Sequence, residues 1–412
     1  MKQPTGEERV SAARLLWSVY APTLLLSLGQ GITIPTLPFY AQSFGLNFSL
    51  VSSVVAAAGI GTLVSDVPSG MVMGRIGRKP LMLIGTGLVT VFNLLLVLAH
   101  FYPELVAYRF LVGIGSAMWN ISRMAYIAEV VPISDRGRVL SSFGGVMRIG
   151  VFVGPAAGGL IAGQFGLAAP FLVTAAMAFL ALTIAGLFVH ESSSKVTRHG
   201  RMRWLTLGGV IRRYYRDFAS AGGAQVFAQM IRAGRQLIIP LYGSSAQGMD
   251  VTSVGTIVTT AAAIDMSLFL PAGMIMDRLG RKFASVPSFA ILGVGMALIP
   301  LSRGYTGLLL AACVMALGNG LGSGAMMTLG ADLAPREATG EFLGVWRLIG
   351  DAGATGGPLI VGGIADMFGL AISAFTLAGL GWFAALMLIF FVRETLTTTE
   401  MPESTPAPTQ VT

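Results

Sequence analysis

Pro68-Ser-Gly-Met-Val-Met-Gly-Arg-Ile-Gly-Arg-Lys79 returns 203 residues later as Pro271-Ala-Gly-Met-Ile-Met-Asp-Arg-Leu-Gly-Arg-Lys282, with eight of twelve positions identical. The offset is close to half of the 412-residue chain, and it persists beyond the quoted stretch. Pro132 meets Pro335, Gly137 meets Gly340, and Gly154-Pro155 meets Gly357-Pro358. Further on, Ile161-Ala162 meets Ile364-Ala365 and Phe165-Gly166 meets Phe368-Gly369. One register held over about 100 residues marks a module written twice.

The composition says what kind of module. The chain is 54% apolar and 11% charged, whereas a soluble domain carries about 25% charged residues. Twelve apolar runs are long enough to span a bilayer, at roughly 15–40, 49–73, 80–100, 105–128, 138–163, 168–189, 218–244, 252–276, 283–302, 306–331, 342–365 and 369–392. Their length excludes a barrel, whose strands read as short alternating segments. The expectation is an all-α membrane protein with twelve transmembrane helices in two pseudo-symmetric six-helix bundles. Residues 1–190 form the first bundle and 218–393 the second. A linker at 191–217 joins them, and a polar, disordered tail follows at 394–412. Duplicated halves in a membrane chain point to alternating access to a central site.

Charge sets the orientation. Of the 27 Lys and Arg, 20 fall in segments that face one side if the N-terminus is cytoplasmic; Arg303 alone lies in an opposite loop. Both termini are therefore expected in the cytoplasm of a multi-pass inner- or plasma-membrane protein. The +8 net charge then faces an anionic leaflet and gives no reason to invoke nucleic acid. In the linker, Arg201, Arg203, Trp204, Arg212, Arg213, Tyr214, Tyr215 and Arg216 surround Leu205, Leu207, Val210 and Ile211. That mixture predicts a basic amphipathic helix lying on the lipid surface.

Several function classes find no support. Cys313 is the one cysteine, and His100, His190 and His199 are scattered, so no metal-ligand set or cofactor is indicated. No nucleophile–base–orienter set suggests an enzyme. The clusters Gly59-Ile-Gly61, Gly113-Ile-Gly115 and Gly318-Asn-Gly320-Leu-Gly322-Ser-Gly324 let helix backbones approach. A nucleotide loop would need a preceding strand.

The paired loops resemble the loop between helices two and three of the major facilitator superfamily. Gly273, Asp277, Arg278, Gly280, Arg281 and Lys282 complete its Gly-x-x-x-Asp-Arg-x-Gly-Arg-Lys pattern; Gly70, Arg75, Gly77, Arg78 and Lys79 repeat it, with Gly74 in place of the Asp. The resemblance implies a cytoplasmic gate that holds the outward-facing state. Glu129 is the expected partner of Arg75 or Arg78, and its repeat mate Asp332 that of Arg278 or Arg281. Gly150, Gly154, Pro155, Gly158 and Gly159 fit Gly-x-x-x-Gly-Pro-x-x-Gly-Gly. In that superfamily this pattern resembles the helix-five signature of drug:proton antiporters. Arg109-Phe-Leu-Val-Gly113-Ile-Gly115 is similar to a helix-four element linked there to proton transfer.

Nine ionisable residues fall inside the apolar runs: Asp66, Asp265 and Asp351, with Arg109, Arg123, Arg148, Arg232, Arg235 and Arg347. Each costs at least ~2.5–3.5 kcal/mol at a bilayer centre, so such groups mark pathways or pairs. Asp66 and Asp265 have no Arg one turn away in sequence and are the first choices for proton carrier, with a salt bridge between the halves near the cytoplasmic loops as the competing role for Asp66. Asp351 follows Arg347 by four residues, which suits a static pair. Arg109 either modulates a carboxyl or pairs with one, and Arg235 is a candidate to hold a polar or anionic cargo. The expected function is secondary active transport, with proton-coupled efflux of a small amphipathic molecule by a monomer. The alternatives are uptake or exchange of an organic anion held by Arg235, Arg148 and Arg347, and a non-transporting membrane sensor or scaffold.

Overall fold

A computed structural model describes residues 15–131, 133–189, 204–335 and 337–396, and within them the regular structure is helical. Twelve long segments carry the fold. They are α1 (Leu16–Gln42), α2 (Phe48–Ile76), α3 (Arg78–Val97), α4 (Tyr102–Val130), α5 (Ile133–Phe165) and α6 (Ala169–Phe188). The second repeat supplies α7 (Gly223–Leu241), α8 (Val251–Arg278), α9 (Arg281–Leu301), α10 (Gly304–Leu333), α11 (Thr339–Phe368) and α12 (Leu370–Phe391). Ten of these are long and apolar enough to cross a membrane. The two that fall short, α4 and α7, carry Arg109 and Arg123, and Arg232 and Arg235. Their shortfall is a polar stripe, which a spanning helix tolerates only where it faces protein or a water-filled cavity.

The helix ends repeat as faithfully as the sequence. Asn47 caps α2 by accepting from Leu50 N, and its mate Asp250 caps α8 by accepting from Thr252 N and Ser253 N. Each side chain satisfies backbone donors that the first turn leaves open. Between α2 and α3 the chain reverses at Gly77 with φ 94°, and between α8 and α9 at Gly280 with φ 113°. Glycine is needed at both, because a Cβ disfavours positive φ.

Packing follows the same pseudo-two-fold. In the first repeat α1 packs on α5 and α6, α2 on α4, and α3 on α4 and α6. The second repeat makes the five equivalent pairs: α7 with α11 and α12, α8 with α10, and α9 with α10 and α12. The repeats meet through α2 against α11 and α5 against α8, which are themselves mates. α8 is interrupted at Leu268, and α10 at Gly322–Gly324, where Gly324 takes a left-handed conformation with φ 82°. A separate helix at Trp204–Arg213 runs through a short turn and the π-helical stretch Phe218–Gly222 into α7. The predicted linker residues Arg201 and Arg203, and the tail beyond Leu396, lie outside the described residues.

At the end remote from the Arg-rich loops the repeats touch backbone to backbone. A Cβ built on Gly159 of α5 would sit 2.9 Å from Val251 O and 3.3 Å from Gly255 Cα of α8. At the equivalent place Gly362 of α11, the mate of Gly159, would meet Phe48 O of α2 at 2.5 Å. Asp366 of α11 accepts from Phe48 N at 2.9 Å and Ser49 N at 2.8 Å. Gln42 and Ser245 bond at 2.8 Å across the same end. That end is closed.

Candidate functional site

Two polar systems need explaining: the loops at the basic end and the charges inside the membrane. In the first loop Arg78 pairs with Glu129 of α4, and Lys79 Nζ donates to Gly186 O of α6 at 2.7 Å. The second loop repeats both bonds. Arg281 Nε donates to Asp332 Oδ2 at 2.8 Å, and Lys282 Nζ donates to Ile389 O at 2.9 Å, the mate of Gly186. Each Lys thus satisfies a carbonyl at a helix C-terminus, where the macrodipole favours a cation. Arg75 and Arg278 are exposed, and Asp277 is only 3.9 Å from Arg281 with its carboxylate mostly in solvent. These bonds all stay within one repeat, so none of them ties the two halves together.

The second loop has an extra component. Glu394, just past α12, accepts from Arg281 N at 2.8 Å, Lys282 N at 2.9 Å, Thr395 N at 2.9 Å and Leu396 N at 3.1 Å. Thr395 Oγ1 donates to Asp332, 2.8 Å away. Partial burial works against the charge of Glu394, but the four backbone donors outweigh it and hold its carboxyl below the usual range. A depressed folded value stabilises at a pH above the ordinary carboxyl value near 4.5, and the gain disappears as pH falls through the folded value. Glu394→Gln should therefore lower the thermal midpoint at pH 7 by an amount reflecting about 1 kcal/mol, as for other caps. The gap to wild type should close below pH 4.5. Parallel melts at pH 7 and pH 3.5 check this; a gap that persists in acid contradicts it.

Inside the membrane, neither Asp66 nor Asp265 has an Arg one turn away on its own helix, but each meets one from a facing helix. For Asp66 this is the competing role, a salt bridge between the halves. Arg347 of α11 lies 3.4 Å from Asp66 of α2 and 3.5 Å from Asp351, one turn along its own helix. One guanidinium therefore serves two carboxylates, across the junction of the repeats. Arg235 of α7 lies 3.5 Å from Asp265 of α8, whose other partner is Asn319 Nδ2 of α10 at 2.5 Å. Arg235, the candidate cargo anchor, is thus engaged by an acid.

The two junctions are mates with different chemistry. The repeat mate of Asp66 is Phe269, and that of Asp351 is Arg148. Where α2–α11 joins Asp66 to Arg347 and Asp351, α5–α8 stacks Arg148 over Phe269, 4.3 Å from the ring centroid. Arg148 also donates to Ser323 at the break in α10, and Arg232 Nη2 donates to Gly322 O there at 2.8 Å. The trio Arg235, Arg148 and Arg347 does not converge: the first two surround the α7–α8–α10 region and the third serves Asp66 and Asp351.

A central cavity has two adjoining lobes of about 390 and 280 Å³. They share Gln30, Thr33, Gly59, Thr62, Arg109 and Asp351. The larger lobe follows one face of α4, through Arg109, Gly113, Ser116, Asn120 and Arg123. Fourteen residues of helix separate the two arginines, about 21 Å at 1.5 Å per residue. Neither has a carboxylate within ion-pair distance among the described residues. Arg123 is 6% exposed, lies 4.1 Å from the Phe143 ring centroid, and leaves its Nε without an acceptor, as Arg109 does. Asn93 Oδ1 and Thr23 Oγ1, in the same wall, are also unpartnered. Arg123 was legible only as a charge without a role. Asn319, Asn93 and Asn120 were not singled out, because nothing in a lone amide distinguishes packing from a site.

The helix-five glycines divide between two faces. A Cβ on Gly154 would lie 2.5 Å from Gly31 Cα of α1, and Gly150 and Gly158 meet α1 backbone as well. Gly159 alone of the set turns to α8, and Pro155 O lies 2.6 Å from a Cβ built on Gly255. The motif therefore joins α1 and α8 to α5 at the closed end.

Comparison with known proteins agrees with this architecture. The profile of the Major Facilitator Superfamily matches residues 21–231 and 221–411. An uncharacterised MFS-type transporter of Methanocaldococcus jannaschii is 23% identical over 355 residues, 86% of this chain and 92% of the relative. Multidrug resistance protein 2 of Bacillus subtilis is 24% identical over 290 residues, 68% of this chain and 70% of that protein. The crystal structure of a D-xylose-proton symporter superposes with a TM-score of 0.70 at 19% identity, covering 94% of this chain and 99% of the other.

Proposed function

The chain belongs to the Major Facilitator Superfamily, and from that premise we propose that it is a proton-coupled exporter of small amphipathic molecules. It alternates between inward-facing and outward-facing states, with both termini and the Arg-rich loops in the cytoplasm. On this reading the closed end is the outer one, which corresponds to an inward-facing state.

One observation carries the coupling. Asp351 lines both lobes of the cavity and shares Arg347 with Asp66. Two carboxylates share one guanidinium, so one of them lacks an ion-pair partner of its own, and a proton can neutralise it. Because Asp351 is part of the cavity wall, cargo and proton compete for the same carboxylate. Arg347 is half-exposed, which leaves the cluster within reach of water and incoming cargo. The pair Asp66–Asp351 is thus the proton carrier, whereas Asp265 is held by Arg235 and Asn319 and shapes the α7–α8–α10 region. The likeness to multidrug resistance protein 2 supports export as the direction. The test is proton movement in proteoliposomes holding a pH dye, challenged with lipophilic drugs and organic acids. Cargo leaving as protons enter supports the reading, and cargo flux indifferent to any pH gradient overturns it.

A second reading rests on Arg109 and Arg123. Two arginines without carboxylate partners in a cavity wall, Arg123 buried and Arg109 partly so, suit an organic anion, taken up or exchanged. The sign of coupling separates the two: an anion beside the carboxylate pair favours protonation, so proton and cargo would move together.

A further inference from the structure

The helix at Trp204–Arg213 and the turn that follows it carry one face that the twelve-helix core does not use. Val210, Tyr214 and Phe218 recur every fourth residue and turn inward; Val210 and Phe218 are buried. Tyr214 meets the Phe342 ring edge-on at 6.0 Å, and Phe218 stacks on it at 4.6 Å. Phe342 in turn stacks with Trp346 at 6.4 Å, and Trp346 Nε1 donates to Met326 O of α10 at 3.1 Å. These contacts fasten the segment to the foot of α11. The opposite face shows Ile211 and Tyr215, 46% and 56% exposed, among Arg212, Arg213 and Arg216, all exposed. No carboxylate among the described residues pairs with these arginines. Arg216 Nε bonds Tyr215 Oη at 3.1 Å, and the Arg213 guanidinium lies 5.6 Å from the Tyr214 ring centroid.

We propose that Arg212, Arg213 and Arg216, with Ile211 and Tyr215, bind the headgroups of anionic phospholipids, and that this grip sets the position of α11. The chemistry fits a bilayer surface. Three guanidiniums within five residues supply forked donors for phosphate oxygens, while an aliphatic and an amphipathic aromatic side chain sit at headgroup depth. Each Arg near an anionic leaflet is worth roughly fivefold in association. The consequence for transport comes through adjacency. Trp346, the end of the aromatic stack, immediately precedes Arg347, which holds Asp66 and Asp351. Lipid bound to the linker face therefore restrains the helix that must move when the halves part. The lipid grip needs only the membrane location, its effect on α11 rests on the proposed alternating access, and neither depends on the direction of transport.

The experiment is photocrosslinking of purified full-length protein in vesicles containing a photoactivatable phosphatidylglycerol or the matching phosphatidylcholine analogue, with sites mapped by peptide mass. Label should concentrate on residues 211–216 with the anionic lipid, at least tenfold above the zwitterionic one. The triple variant Arg212→Gln, Arg213→Gln, Arg216→Gln should lose that excess. In parallel, the fluorescence of Trp346, isolated by replacing Trp17, Trp119, Trp204 and Trp382 with Phe, should respond to phosphatidylglycerol content with the three arginines present and not in the triple variant. Equal labelling by both lipids overturns the proposal. So does suppression of labelling by soluble glycerol phosphate, which would assign the site to a free anion. An unchanged lipid response in a folded triple variant also overturns it.

Discussion

Asp351→Asn should reduce cargo-driven proton flux in proteoliposomes to the leak of empty vesicles, while cargo binding, weaker than in wild type, no longer depends on pH. The substitution is nearly isosteric and leaves Arg347 its bond to Asp66 at 3.4 Å, so the α2–α11 junction keeps a partner for its charge. What disappears is the second carboxylate, and with it the charge that a proton would neutralise. Asp66→Asn should do the same from the other side, leaving Arg347 with Asp351 at 3.5 Å. Arg347→Gln is the harsher change. It strands two acids against each other. Because Arg347 is half-exposed, screening keeps the cost below the ~3–5 kcal/mol of a fully buried pair, yet that variant should be the least stable of the series. Asp265→Asn supplies the contrast. It deprives Arg235 of its acid and should slow transport or lower stability, yet each cargo molecule should still move the same number of protons. The flux ratio is the quantity to measure: if Asp265→Asn abolishes coupling and both other variants retain it, the carrier is Asp265.

The repeat made much of this architecture legible before any coordinates. Equivalent positions 203 residues apart implied equivalent contacts. The paired loops show how literally that holds: Lys79 to Gly186 O and Lys282 to Ile389 O are the same bond twice. Partners chosen by repeat logic, Glu129 and Asp332, pair with Arg78 and Arg281. The interior was not legible in this way. Asp66 and Arg347 are 281 residues apart, on helices whose rotation about their own axes no periodicity reveals. An acid with no Arg one turn away looked free to titrate, but a spanning helix is surrounded by others, and each acid met an Arg from a neighbour. The internal symmetry also misleads there. Asp66 corresponds to Phe269 and Asp351 to Arg148, so the charges broke the repeat while the glycines and caps kept it. Departure from symmetry marks chemistry better than symmetry does in this chain.

Gly159→Val should open the closed end without unfolding the first repeat. Its Cβ would lie 2.9 Å from Val251 O and 3.2 Å from Thr252 Cα. These are backbone atoms that cannot rotate away, so the α5–α8 junction must widen. Overpacking of this kind costs about 1–3 kcal/mol. Because the clash exists only while the end is shut, that cost appears as a shift of roughly 5- to 150-fold toward the state open there. Gly362→Val should act alike at the α2–α11 junction, where its Cβ would meet Phe48 O at 2.5 Å. Gly154→Val is the control within the same motif. It clashes with Gly31 Cα at 2.5 Å, inside one repeat, in whichever state the halves adopt, so it should lower the thermal midpoint without changing access. Access is read by an impermeant maleimide applied at the closed end. The reporter is Thr33→Cys, in the wall of both cavity lobes, with the one native cysteine removed by Cys313→Ser. Labelling should rise at least about fivefold in Gly159→Val and Gly362→Val and stay at background in Gly154→Val. If all three variants label alike, the glycines serve packing alone and the halves do not part at this seam.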